Sequence, residues 1–94
     1  MAQTFTCSVV TPEKALFEAE VVYANIPAFD GYLGVMHNRA AMLVELGRGT
    51  LKLDLADGTT RRFELHGGFA QMNRNKLTLL CEKATETGGA AVAA

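Results

Sequence analysis

Apolar and polar residues alternate along several short segments of this chain. Every second residue of the segment 50–55 is a leucine, and the residues between the leucines are polar. The segments 4–9 and 77–81 show the same period of two, and their apolar positions are Phe5, Cys7 and Val9, then Leu77, Leu79 and Cys81. A period of two puts alternate side chains on opposite faces of a strand. These segments therefore predict β-strands with one buried face and one solvent-facing face.

Turn-forming residues separate these segments at intervals of roughly ten residues, as in sandwiches and barrels. Asp57-Gly58 predicts a two-residue type I′ hairpin turn, because such a turn needs positive φ at both positions. A second turn is expected at 73–75, whereas Gly67-Gly68 predicts a sharp bend or a close approach of two backbones. Pro27 is expected to end the strand at 21–26, and 47–49 to end another at 42–46. The pattern predicts an all-β fold, a flattened ten-strand β-sandwich or barrel.

The chain is long enough for one folded domain. Its 94 residues would bury roughly 60–65% of the surface that the unfolded chain exposes. We expect the β-sandwich domain to span 1–83 and to fold alone as a monomer. The segment 84–94 is rich in small residues without amphipathic pattern, which predicts a flexible, disordered C-terminal tail.

Composition and charge argue against several classes of partner. The formal net charge is −1 and the sequence pI is about 6.1, so no basic field favours binding to nucleic acid. No apolar run approaches the ~18–20 residues that span a bilayer, and the N-terminus lacks a secretory pattern. Direct membrane insertion is therefore not expected. Cys7 and Cys81 lie at alternating apolar positions, where small buried thiols are more usual than a disulfide.

The sequence contains no recognisable catalytic or metal-binding arrangement. Phosphate-binding glycine motifs are absent, and no cluster of cysteine and histidine suggests a metal site. His37 and His66 are the only histidines, and no spacing connects either one to a nucleophile. We therefore predict no catalytic residue, no cofactor and no metal, and a function that depends on the protein's surfaces.

The segment 30–43 is the strongest candidate for such a surface. Asp30-Gly31 forms a turn signal, and the polar residues His37-Asn38-Arg39 lie between the apolar pairs 35–36 and 42–43. A loop with apolar residues on both sides is anchored to the core while its tip faces outward. The tip is either a solvated loop or a contact for a partner.

Five motifs, in this order, resemble the epsilon subunit of rotary (F-type) ATP synthases. They are Val9-Val10-Thr11-Pro12-Glu13, Leu16-Phe17, Asp30-Gly31-Tyr32-Leu33-Gly34-Val35, Gly67-Gly68-Phe69-Ala70 and Leu77-Thr78-Leu79-Leu80. No single motif is decisive; the resemblance depends on all five at the family's spacing. It covers about residues 3–83 and corresponds to the N-terminal β-sandwich of that family.

The resemblance implies a non-catalytic subunit at the foot of the central stalk. Such a subunit docks on the gamma subunit, rests against the polar loops of the membrane ring, and turns with both when protons or sodium ions drive rotation. It would be peripheral, on the cytoplasmic face of an energy-coupling membrane such as the bacterial plasma membrane. The family's ring-facing loops correspond here to Asp30, Tyr32, His37, Asn38 and Arg39, whereas the gamma-contacting face is not identified.

The chain departs from the family pattern in two places. Members usually carry Pro-Gly-His or Pro-Asn-His followed by Ala-Pro where this chain has His37-Asn38-Arg39-Ala40-Ala41, so two prolines are missing and Arg39 holds the histidine position. The family's acidic residue falls at or beside Tyr32, which leaves Asp30 as the nearest carboxylate. Most members also continue into two helices that inhibit ATP hydrolysis. Their absence here implies coupling without that inhibition, or a fragment of a longer chain.

A different class of function remains open at the level of sequence. A soluble β-sandwich adaptor or ligand-binding domain, unrelated to a rotary motor, would share the alternation and the turns. Binding to a gamma subunit distinguishes the two.

Overall fold

Every regular element in the described part of the chain is a β-strand. The computed structural model describes residues 3–87, and its six strands are β1 (Phe5–Val10), β2 (Ala15–Ala28), β3 (Gly31–Val35), β4 (Met42–Leu55), β5 (Thr60–Asn73) and β6 (Lys76–Thr87). The all-β prediction is confirmed. The strand count differs, because six continuous strands are present instead of ten.

Hydrogen bonding closes five of these strands into a barrel. The strand order is β1-β6-β5-β4-β2-β3, and β1 also pairs with β2, so that the ring is complete. Strands β1 and β6 are parallel, and the other pairs are antiparallel. Strand β3 lies outside the ring, at the edge beside the second half of β2.

Four of the strands are long and bent, which explains the difference in strand count. Strands β2, β4 and β5 have 14 residues each and β6 has 12. In β4 the buried positions change from even to odd between Leu46 and Leu51, and in β5 they change from odd to even between Leu65 and Ala70. The glycines between these residues let each strand bend around the barrel without ending. Counting each bent strand as two halves gives the predicted ten.

Pro27 does not end its strand, contrary to the sequence prediction. It lies within β2, is buried, and faces Tyr32 of β3 in the ladder. The pairing of β2 with β4 shifts register between Asn25 and Ala28, around Pro27. A proline has no N–H to donate, so a position at a register shift accommodates it.

The type I′ turn is not where the sequence suggests. At the β4–β5 turn the Gly58 amide donates to the Leu55 carbonyl oxygen at 3.0 Å, and only Gly58 has positive φ, at +92°. This is a three-residue loop with a glycine bulge, not the predicted two-residue type I′ turn. The type I′ pattern occurs instead at the β5–β6 turn, where Arg74 and Asn75 have φ of +52° and +60°.

Gly68 confirms the expected close approach of two backbones. Its φ is +120°, and a Cβ atom added there would lie 2.0 Å from the carbonyl oxygen of Leu80 in β6. No side chain fits at that distance. Residue 68 therefore requires glycine for the β5–β6 ladder to pass through the bend.

The barrel encloses one hydrophobic core. Most predicted inward positions are buried, among them Phe5, Val9, Leu51, Leu53, Leu77 and Leu79, whereas Leu55 is half-buried against the core. At one end, Arg61 lies 4.8 Å from the centre of the Phe17 ring, and that ring packs against Phe63 with centroids 5.3 Å apart. Phe17 is partly buried and packs against the core, so the stack lies at the edge of the core.

Cys7 and Cys81 are both buried free thiols. In the parallel β1–β6 ladder Cys7 pairs with Leu77, four residues before Cys81. At ~3.3 Å per residue the two cysteine Cα atoms are on the order of 13 Å apart along the strands, beyond the reach of a disulfide.

Strand β6 continues past the expected end of the domain at residue 83. Its residues 84–87 pair with β5 from Leu65 to Arg62, and Glu86 forms an ion pair with Arg61. This part of the predicted tail is therefore ordered sheet, because it covers the half of β5 that would otherwise be an open edge. The remainder of the predicted tail, 88–94, lies outside the described residues. None of the described residues belongs to a helix that could cross a bilayer.

Candidate partner-binding surfaces

Asp30 lies in the tight turn between β2 and β3. Gly31, with φ of +136°, completes the turn, and the Phe29 amide anchors it by donating to the Glu45 carbonyl oxygen of β4 at 2.8 Å. Phe29 itself is 72% exposed. The turn therefore presents a carboxylate beside a large apolar side chain, on a rigid base.

Tyr32 is on the edge strand β3 and is 58% exposed. Its hydroxyl oxygen accepts a hydrogen bond from the Thr50 amide of β4 at 3.1 Å. That bond crosses over Gly49, where an added Cβ atom would lie 2.6 Å from the tyrosine hydroxyl. The ring of Tyr32 is thus fixed at its far end while its face is available to a partner.

The polar tip is held by a pair of asparagine side chains. The Asn38 amide donates to Asn75 Oδ1 at 2.6 Å, and Asn75 Nδ2 donates to Asn38 Oδ1 at 3.3 Å. Asn38 has φ of +62°, which asparagine tolerates better than most residues. The Asn75 carbonyl oxygen in turn accepts from the Thr6 amide at 3.0 Å. The tip is therefore connected by hydrogen bonds to the β5–β6 turn and, through that turn, to β1. These bonds hold the tip in place although the two prolines of the family are missing.

The structure does not bring all five predicted contact residues together. Asp30 precedes β3, whereas His37, Asn38 and Arg39 follow its last residue, Val35. The five residues of β3 span roughly 16 Å, so the carboxylate and the tip lie at opposite ends of the strand. Asn38 and Arg39 are exposed and His37 is half-buried. Together they outline an elongated surface along β3, with Tyr32 between its ends.

A second candidate surface is an apolar groove that sequence reasoning missed. It has a volume of about 550 Å³, and its walls are the β1–β2 turn at Val10–Pro12 and the outer side of β5 and β6. Phe69 and Leu80 form a cross-strand pair there and are 50% and 51% exposed. The carboxylates of Glu45 and Glu82 lie among the groove's lining residues.

A signal for this groove is present in the sequence. Leu79, Leu80 and Cys81 are three apolar residues in a row, and Leu79 and Cys81 are buried. In a strand the residue between two buried neighbours must point outward, so Leu80 had to be an exposed leucine. An exposed apolar pair in a groove is typical of a contact with another protein.

His66 and the two cysteines are placed in structural roles. His66 Nδ1 accepts a hydrogen bond from Arg48 Nη2 at 3.2 Å across the β4–β5 ladder. Burial raises the pKa of the Cys7 thiol to about 12 and that of the Cys81 thiol to about 11, so both stay protonated at neutral pH. Within residues 3–87, no group of histidine, cysteine and carboxylate side chains is arranged to hold a metal ion.

Comparison with known proteins gives a consistent set of matches. A family model described as the β-sandwich domain of the ATP synthase delta/epsilon chain matches residues 4–87. The ATP synthase epsilon chain of Rhodopirellula baltica is 41% identical over 83% of this chain, and that of Brucella canis is 35% identical over 90%. The chain spans 60% and 63% of the length of these two relatives.

Solved structures share the fold. A chain in the cryo-EM structure of the Euglena gracilis mitochondrial ATP synthase, which contains OSCP, F1 and the c-ring, superposes with a TM-score of 0.81 at 20% identity. The match covers 92% of this chain and 54% of the other. A chain in the central stalk and c-ring of the Tetrahymena thermophila mitochondrial ATP synthase gives a TM-score of 0.69 at 18% identity, over 87% of this chain and 66% of the other.

Proposed function

This chain belongs to the family of the β-sandwich domain of the ATP synthase delta/epsilon chain, and on that basis we propose that it is a non-catalytic rotor subunit of an ATP synthase. In this role it joins the gamma subunit to the membrane ring and lets ion-driven rotation reach the catalytic head. The closed barrel supports the proposal, because a ring of hydrogen-bonded strands resists shear between its two contact surfaces. Its place is peripheral, on the cytoplasmic face of the energy-coupling membrane.

We assign contact with the ring to the elongated surface along β3. Its members are Asp30, Tyr32, His37, Asn38 and Arg39. The surface combines an exposed carboxylate, a fixed aromatic ring and an exposed guanidinium, which suits the polar loops expected of a membrane ring. Each charged contact at such a rim is weak, on the order of 1 kcal/mol, so attachment depends on several contacts acting together.

We assign contact with gamma to the apolar groove. Phe69 and Leu80 are large apolar side chains, and about half of each is exposed to solvent. A partner that covers them buries this remaining apolar surface. Burying them against gamma supplies a contact that does not depend on salt, whereas Glu45 and Glu82 select a partner with basic residues beside its apolar side chain. The groove is formed by other strands than the β3 surface, so both partners can bind at once.

Binding to gamma is the first test of the proposed function. The chain is mixed with purified gamma, and we expect a stable complex on size-exclusion chromatography. Leu80→Glu should abolish the complex, whereas Thr78→Glu, a half-buried residue two positions earlier on the same strand, should weaken it less. Thermal melts of both variants show whether each is folded. A folded Leu80→Glu variant that still binds gamma removes the groove from the proposal, and a wild-type chain that never binds gamma contradicts the rotor function.

Cross-linking in the assembled enzyme tests the ring surface. A cysteine at Tyr32 should form a cross-link to a cysteine in the polar loop of the ring, and a cysteine at Lys52 should not. Lys52 is the control because it is exposed on β4, which β2 separates from β3 in the sheet. A cross-link from Lys52 with none from Tyr32 means that the domain is oriented the other way up.

Arg39→Glu should weaken ring attachment and coupled ATP synthesis, while binding to gamma stays unchanged.

A further inference from the structure

The outer face formed by the second half of β4, the first half of β5 and the second half of β6 carries an uneven distribution of charge. Because Leu51, Leu53, Phe63 and Leu65 point into the core, the residues between them point outward. Four basic side chains are exposed on this face, one or two from each strand: Arg48, Lys52, Arg62 and Lys83. Two carboxylates, Asp54 and Glu64, are half-buried beside them. The face is therefore positive in a chain whose formal net charge is −1.

These basic groups are arranged in two rows by the ladder register. Arg48 pairs with His66 and His66 pairs with Lys83, which forms one row across the three strands. Lys52 pairs with Arg62 in a second row. Four residues of β4 separate the rows, so a distance of roughly 13 Å lies between them.

The two carboxylates of the face each accept a hydrogen bond from a threonine hydroxyl on the neighbouring strand. Glu64 Oε1 accepts a hydrogen bond from the Thr50 hydroxyl at 3.2 Å, and Asp54 Oδ1 accepts one from the Thr60 hydroxyl at 3.2 Å. Among residues 3–87 the one ion pair within 4 Å joins Arg61 and Glu86, neither of which belongs to the two rows. The four basic side chains of the face thus have no carboxylate partner in the described part of the protein.

We propose that this face docks an acidic protein segment, a helix that carries carboxylates two turns apart. Seven or eight helical residues rise roughly 11–12 Å, which matches the spacing of the two rows. Glu64 and Thr50 lie between the rows, at the level of the intervening helical turn. A uniformly anionic partner such as a phospholipid surface or polyphosphate would meet Glu64 as a repulsive charge, whereas a protein segment can place a neutral or basic residue there. None of the four basic residues belongs to the β3 surface or lines the apolar groove, although the Tyr32 hydroxyl accepts a hydrogen bond from the Thr50 amide at the margin of the face.

The test uses the 94-residue chain and a synthetic probe. The probe is a fluorescein-labelled, alanine-based helical peptide of about 20 residues with glutamates at i and i+7, and binding is followed by fluorescence anisotropy at low salt. We expect binding that weakens as salt is added, because the contacts are exposed ion pairs. Lys52→Glu/Arg62→Glu should weaken binding at least roughly tenfold. Lys14→Glu/Lys76→Glu changes the net charge equally at exposed positions outside the face and should leave binding within about twofold of wild type.

Several results would overturn the proposal. One is the absence of salt-sensitive peptide binding, and another is an equal loss of binding in the two double variants. Equal or tighter binding of inorganic polyphosphate or of phosphatidylserine vesicles, lost in the Lys52→Glu/Arg62→Glu variant, identifies a general anion site instead. Self-association of the chain that disappears in the same variant assigns the face to a second copy. None of these measurements involves gamma or the ring, so they fail or succeed independently of the rotor function.

Discussion

Arg74 is the residue whose backbone conformation suits its side chain least. It occupies the first position of the type I′ turn with φ of +52°, a region that costs a residue with a Cβ atom roughly 1–2 kcal/mol. Glycine removes that strain but loses about 0.5–1 kcal/mol to the entropy of the unfolded chain. We therefore expect Arg74→Gly to raise the free energy of unfolding by about 0.5–1 kcal/mol in urea denaturation. Arg62→Gly, within a regular strand, should lower it, and a loss of stability in Arg74→Gly would contradict the assigned turn geometry.

Gly68 and Gly58 distinguish the cost of a positive φ from the cost of a steric clash. Both have positive φ, but an added Cβ atom meets the Leu80 carbonyl oxygen at residue 68 and nothing within 4 Å at residue 58. We expect Gly58→Ala to lower the free energy of unfolding by roughly 1–2 kcal/mol, from backbone conformation alone. Gly68→Ala should lower it by on the order of 4 kcal/mol or more, because the β5–β6 ladder must also move apart. Equal losses in the two variants would mean that the clash with the Leu80 carbonyl oxygen adds nothing to the loss of unfolding free energy.

The buried thiols of Cys7 and Cys81 should make the free energy of unfolding depend on pH in the alkaline range. In the folded protein, burial raises the pKa of the Cys7 thiol to about 12 and that of the Cys81 thiol to about 11. In the unfolded chain a cysteine thiol has a pKa of about 8.5. The stabilisation that results is fully present below about pH 8.5 and is lost as the pH rises above it, because only the unfolded chain then releases these protons. The free energy of unfolding should fall more steeply above that pH in wild type than in Cys7→Ala. Equal slopes would show that the Cys7 thiol titrates normally.

At the scale of whole elements, the alternation of apolar and polar residues predicted most strand positions correctly. Leu53 and Leu79 are fully buried and Lys52 is exposed, as the period of two requires. Leu53→Ala should therefore cost about 2–5 kcal/mol of unfolding free energy, through lost burial and a residual cavity. Lys52→Ala should stay within about 0.5 kcal/mol of wild type. The pair of denaturation curves checks the register of β4, since a shift by one residue would exchange the two results.

Other features of the elements were not accessible from local sequence. Pro27 in β2 and the glycines in β4 and β5 suggested strand ends. All three strands continue past these residues, because each stays paired with neighbouring strands on both sides. Arg74 does not resemble a type I′ residue, so the turn chemistry pointed to Asp57-Gly58 instead. The support of the candidate tip was equally hidden, because Asn38 and Asn75 are 37 residues apart and meet only when the barrel closes.

The asparagine pair predicts a specific effect on the tip. Asn75→Gly keeps the positive φ of the turn but removes the side-chain amide that holds Asn38. We expect a loss of about 1 kcal/mol or less in unfolding free energy, together with much faster hydrogen exchange at the Asn38 amide. Arg74→Gly is the control, since it changes the neighbouring turn residue and leaves both asparagine hydrogen bonds intact. Unchanged exchange at Asn38 in Asn75→Gly would show that the tip is ordered by other contacts.

For the whole molecule, the closed ring and the attached β3 should differ in stability. Each of the five ring strands pairs with two others in the ring, so none can separate without breaking ladders on both sides. Strand β3 pairs only with β2, and its first residues are exposed, although Val35 at its far end is fully buried. The barrel therefore supports the β3 surface without including it.

This difference is measurable by native-state hydrogen exchange. The slowest amides of β5 and β6 should exchange only by global unfolding, with a free energy equal to that from denaturation. The β3 amides that bond to β2 should exchange through local opening at a lower free energy, lowest near Gly31 and rising toward Val35. Val35→Ala should lower the β3 values and the global value by similar amounts, because Val35 loses its packing both when β3 opens and when the whole chain unfolds. If β3 exchanges only with the global transition, the proposed ring surface is part of the rigid barrel, and a partner cannot order it further.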